Sequence, residues 1–130
     1  MTSSEHLLAE SAVELRRRIG TKEISPVELL AACVERIERL NLGVNAIAAT
    51  CYERARQEAK AAEMAALRRE PLGLLHGLPT GIKDLEETAG LLTTFGSPLY
   101  RTFVPEHDSS MVARVRAAGA IVVGKTNTPE

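Results

Sequence analysis

The run DSSMVARVRAAGAIVVGKT, residues 108–126, changes its hydrophobic period half-way along. Met111, Val112, Val115 and Ala118 are spaced for one face of a helix that Asp108 caps. Gly119 then stands where a helix ends in a left-handed residue. Residues 120–123, AIVV, form a continuous apolar run between glycines, as a strand buried on both faces requires. Upstream, LPTGIKDL at residues 78–85 reads as another strand. Strand, crossover helix, strand is the arithmetic of a parallel α/β unit.

The same run contains GAIVVGKT, residues 119–126, a formal match to the phosphate-loop pattern G-x-x-x-x-G-K-[ST]. That loop needs a strand before its first glycine and a helix opening at the Lys-Thr pair. Here the order is reversed, with a helix before Gly119, a strand between the glycines and a turn after Thr126. The match is coincidental.

Working back towards the start, the first half of the chain is helical. Ser11 with Glu14, and Ser25 with Glu28, have the spacing of capping boxes, and Pro26 fits a first helical position. Val27, Leu30, Val34, Ile37 and Leu40 form one apolar stripe. Thr50 and Glu53 mark a third start, for a helix over about residues 51–69. Its Ala55, Ala59, Ala62 and Ala66 face buries little area per residue and reads as peripheral. Residues 44–50, VNAIAAT, are a candidate short strand, and TTFGSPLYRTF, residues 93–103, a loop with one helical turn. Three strands at most, one of them buried on both faces, do not cover a parallel sheet. The expectation is an N-terminal piece of a larger protein, with an apolar edge at residues 120–123 that would favour aggregation.

Composition excludes several classes. Sixteen basic and seventeen acidic residues leave a net charge of -1, which gives no electrostatic footprint for nucleic acid or anionic lipid. Aromatics are 3% with no Trp, so base-stacking platforms are missing. No apolar run has the length of a membrane span, and the start has no basic region followed by an apolar one. Cys33 and Cys51 read as small core residues, and His6, His76 and His107 are scattered without ligand spacing, so no metal is expected. A reducing cytoplasm is the default compartment.

Lys83 is the candidate for chemistry. It stands in LHGLPTGIKDL, residues 75–85, between branched apolar residues, with Gly77 and Gly81 suggesting close approach of another backbone. Strand alternation sends Lys83 and Asp84 to opposite faces, so Asp84 does not neutralise it directly. A lysine held dry without a carboxylate loses its proton readily and can serve as a general base. The plain alternative is an edge-strand lysine that reaches to water.

Residues 72–130 carry a resemblance. GLLHGLPTGIKDLEETAGLLTTFGS, followed by HDSSMVARVRAAGAIVVGKTNTPE, resembles the amidase signature family in several ordered, collinear blocks. The resemblance implies an α/β fold, a mixed sheet covered by helices, of which this chain would supply the N-terminal helices and the first strands. It implies hydrolysis of a carboxamide C–N bond by a Ser–cis-Ser–Lys triad, with Lys83 at the family's catalytic lysine. Both serines belong to a Gly-Gly-Ser-Ser-Gly-Gly-Ser segment that these 130 residues do not contain. Ser97 matches a Gly-Ser turn, Ser109 and Ser110 begin a helix, Lys125 takes no catalytic role, and Asn127 and Glu130 brace a loop. No cofactor or metal is implied. Residues 1–130 would then be the N-terminal part of a single amidase domain, helical over 1–70 and opening the α/β core over 71–130. The partner expected is a small-molecule amide substrate, with no nucleic acid bound directly, no membrane, and room for a homodimer. Alternatives are the glutaminase subunit of a tRNA-dependent amidotransferase, with its partner subunits, and a non-catalytic amidase-like module. Thr-Pro-Glu at 128–130, where that subunit tends to carry Met-Asp-Glu, leans towards a free-standing amidase.

Overall fold

A computed structural model describes residues 2–129. Among the described residues three short strands form one mixed sheet, and helices cover both of its faces. β1 (Ile47–Thr50) runs antiparallel to β3 (Ile121–Thr126), and β2 (Pro79–Lys83) runs parallel to it, in the order β1-β3-β2. The expected parallel unit is therefore present at β2 and β3. The strand that was to expose an apolar edge is instead the centre of the sheet, and β1 and β2 are its edges.

Each helix start can be traced to a side chain. Helix α1 (Ser3–Leu8), too short to show an apolar period in the sequence, opens with a full capping box between Thr2 and Glu5. In α2 (Ala12–Gly20) only half of the expected box forms. Ser11 Oγ accepts from the Glu14 amide at 3.2 Å, while the Glu14 carboxylate turns to Arg17 at 2.7 Å. Helix α3 (Pro26–Val44) has the complete device, with Ser25 and Glu28 bonding reciprocally and Pro26 in the first turn. It stops at Asn45, whose φ of 49° is left-handed.

Helix α4 (Tyr52–Leu67) departs from the sequence reading twice. Its cap is Cys51, without a capping side-chain bond, because Thr50 is held in β1. Nor is it peripheral. Ala55, Ala59 and Ala62 pack with Leu30 and Val34 of α3 and with Ile121 and Val123 of β3. Small side chains let the α4 backbone settle between helix and sheet, where a larger face would hold it away. On the opposite face, Val112 of α5 (Ser110–Ala117), with Leu91, closes over Ile82 and Val122. Full burial of an aliphatic side chain of this kind is worth about 1.5–3 kcal/mol. A third cluster, Ile19, Ile24, Leu29 and Leu78, seats α2 against α3.

Helix α5 begins one residue later than expected. Ser109 caps it, and Asp108 instead accepts from the Ala89 amide at 2.8 Å and pairs with Arg116 at 3.1 Å. Gly119 follows the helix at φ 95°, as anticipated. The single helical turn in the long loop is the 3-10 segment Pro98–Tyr100, capped by Ser97. Among the described residues no helix is long and apolar enough to cross a membrane.

Candidate active site

The site lies at the carboxyl end of the parallel pair, the end at which open α/β sheets usually bind their ligands. Lys83 closes β2 and lies opposite Thr126 of β3. The predicted alternation holds: Ile82 and Asp84 are buried, Gly81 and Lys83 exposed. The predicted dryness of Lys83 does not. Among the described residues β2 is an edge strand, and Lys83 stands on a face of it that is exposed. Gly77 and Gly81 also meet side chains rather than backbone; a Cβ on Gly81 would come 2.7 Å from Thr126 Cγ2. A groove of about 480 Å³ runs along α3 and the sheet past Cys33, Ile37, Pro79 and Gly81, and Lys83 does not line it.

The dry lysine of this site is Lys125. Its relative exposure is 0%. A register shift between Thr80 and Gly81 sets two steps of β3 against one of β2, so β3 bulges between Val122 and Gly124. Gly124 permits the bulge, since a Cβ there would lie 2.3 Å from the Ala49 carbonyl oxygen. Val123 packs towards α3 and α4, whereas Lys125, two residues on, turns to the opposite face. There its Nζ donates to the Glu86 carbonyl, to Thr88 Oγ1 at 2.9 Å and to Thr93 Oγ1 at 3.2 Å.

The two threonine hydroxyl hydrogens are already committed. Thr88 Oγ1 donates to the Glu86 carbonyl at 3.1 Å, and Thr93 Oγ1 to the Leu91 carbonyl at 3.0 Å. Both oxygens therefore receive from Lys125. Three acceptors match the three N–H groups of an ammonium and exceed the two of a neutral amine. Burial pulls the Lys125 pKa below the usual lysine range, opposed by the charges of Asp84, Glu86 and Asp108.

Asp84 completes the cluster. Its Oδ1 lies 3.9 Å from Lys125 Nζ and accepts from the Thr94 amide at 3.0 Å, and its Oδ2 takes the Thr94 hydroxyl. The Asp84 amide donates to the Thr126 carbonyl at 3.0 Å, tying the end of β2 to the end of β3. Thr94 leads into two consecutive left-handed residues, Phe95 at φ 55° and Gly96 at φ 70°. Phe95, Tyr100 and Phe103 then gather in one aromatic cluster. Backbone in a sparsely populated region persists where its surroundings fix it, and Asp84 does so here.

Ser110 opens α5, as the sequence suggested, while Ser97 and Ser109 are occupied as caps. Asn127 does brace a loop: its side chain donates to the Asn45 carbonyl at 3.0 Å and its amide to that of Ala46 at 2.8 Å. Glu130 lies outside the described residues. Sequence reasoning missed Asp84, Thr88, Thr93 and Lys125 as one unit. The one available signal was a lysine following a fully apolar strand, and the bulge that redirects it has no signature beyond Gly124.

A family model described as Amidase matches residues 28–130. The chain belongs to the amidase family. It is 41% identical over 112 residues to a glutamyl-tRNA(Gln) amidotransferase subunit from Anaeromyxobacter dehalogenans (strain 2CP-C), a match covering 86% of this chain and 23% of that one. A solved bacterial aryl acylamidase, of the amidase signature enzymes, superposes with a TM-score of 0.85 at 29% identity, over 92% of this chain and 25% of the other. A fatty acid amide hydrolase gives 0.91 over 99% of this chain and 23% of its own, at 21% identity, which supports the fold alone. This amidase-family chain thus spans about a quarter of the length of the curated relatives it matches.

Proposed function

We propose that the protein takes part in amide C–N hydrolysis and that Lys83 is its proton-relaying lysine. The observation that carries this reading is the position of Lys83 in an Amidase-matched segment, at the carboxyl end of the parallel strand pair. A neutral Lys83 would accept a proton through a bridging serine as the nucleophilic serine attacks the carbonyl, then return it to the departing nitrogen. The family's serine-rich segment does not occur in these 130 residues. Residues 1–130 are accordingly one part of a single amidase domain, supplying the lysine in a cytoplasmic enzyme, and alone they are inactive.

The test is release of ammonia or amine from small carboxamides by the full gene product. Lys83→Ala should lower turnover by about 10²–10⁴-fold, the usual contribution of a positioned acid–base group. Unchanged turnover in Lys83→Ala, or Lys83-dependent turnover by residues 1–130 alone, would overturn the reading.

A second reading is favoured by the 41%-identical relative, which belongs to an amidotransferase. Under it the amide is glutamine and the chain works with partner subunits. Capture of those subunits with tRNA by the tagged protein distinguishes it from a free-standing amidase.

A further inference from the structure

We propose that Lys125 is a positioning residue for Lys83: its buried ammonium neutralises Asp84 and clamps residues 86–93 to β3, so that Asp84 does not hold a proton on Lys83. This rests on the reading of Lys83 as the proton-relaying lysine. A relay needs an amine that can give up its proton near neutral pH, and a carboxylate next to it in the chain works against that. Strand alternation separates the two side chains, but alternation alone leaves an uncompensated negative charge within Coulombic reach.

The structure supplies the compensation. Asp84 is 3% exposed and Lys125 0%, so the pair attracts across 3.9 Å with little water to screen it. The hydroxyls of Thr88 and Thr93, already donating elsewhere, fix Lys125 in the charged form. Asp84 in turn orders Thr94 and the left-handed pair after it, and its amide fastens β2 to Thr126.

Residues 1–130 contain four lysines, Lys22, Lys60, Lys83 and Lys125, and each can be followed as an assigned NMR signal of labelled lysine in the full gene product during a pH titration. In Lys125→Met the Lys83 midpoint should rise by about half a pH unit, roughly threefold in proton affinity. Asp84→Asn should lower it by a similar amount, and the double variant should restore it. Lys22 and Lys60 should stay fixed throughout, a pattern that general loosening of the structure does not produce. If Lys125→Met loses its folded spectrum, Asp84→Asn, a neutral isostere, decides alone. A Lys83 midpoint unmoved in every folded variant would overturn the coupling while leaving Lys83-dependent hydrolysis intact. Hydrolysis that survives Lys83→Ala would instead overturn the functional reading, whatever the midpoints do.

Discussion

Lys83 and Lys125 sit almost side by side, each near the end of one of two paired parallel strands, and their surroundings are opposite. Lys83 follows Gly-Ile on an edge strand and is exposed, whereas Lys125 follows Val-Gly on the central strand and is sealed. Local sequence makes the two alike, each a lone amine after small and branched apolar residues. What packs over a strand's face, with any bulge that turns a side chain towards that face, sets its exposure, and neither property is local. The sealed lysine has all three donors matched, which is how a buried charge is tolerated.

The largest test of this contrast is truncation of each lysine in turn. Lys125→Met should cost about 3–5 kcal/mol, because it leaves Asp84 buried without its compensating charge. Lys83→Met should stay within about 0.5 kcal/mol. Urea unfolding midpoints read both, and equal losses would erase the distinction between edge and centre.

A smaller effect sharpens the account of the bulge. Gly124→Ala forces a methyl against the Ala49 carbonyl and should cost about 1–3 kcal/mol. Gly43→Ala, in the last turn of α3 with nothing within 4 Å, should stabilise by about 0.4–1 kcal/mol. The opposite signs are the prediction, and thermal midpoints check it.

The smallest effect concerns pH. Burial lowers the Lys125 pKa in the folded state, so the unfolded chain binds this proton more tightly. The resulting penalty is fully present below the lowered native value. It is relieved as pH rises from there towards the unfolded value of about 10.4. Half-buried Cys33 and Cys51, whose thiol pKa values desolvation raises, pull the other way above about 8.5. The difference between the parent chain and Lys125→Met isolates the lysine. Relative to the variant, the parent should gain stability as pH rises towards about 10, and parallel curves would contradict the burial of an ammonium at that position.

Much of the fold could be read in advance because its signals were local. Ser25, Pro26 and Glu28 specify a helix start through bonds that span three residues, and they form as written. Asp108 misled for the opposite reason: a capping residue has no preference between the next turn's amides and a distant partner. Once Ala89 and Arg116 come within reach, Ser109 takes the cap. The alanine face of α4 misled through area, since small side chains bury little individually yet admit the closest approach to α3 and β3. The amidase likeness was legible because its blocks are collinear, and the match over residues 28–130 agrees with it.

By itself the sequence determined the starts of α2 and α3, the parallel strand–helix–strand unit, the family, and Lys83 as the residue to question. Hydrogen bonds between near neighbours and the period of apolar residues are properties of the chain alone, so these readings needed no partner. Only the tertiary structure decided which strand is central, where β3 bulges, and hence which lysine is dry. Those follow from strand pairing between segments some forty to eighty residues apart, because a strand's sides are covered only by what the rest of the fold brings to them.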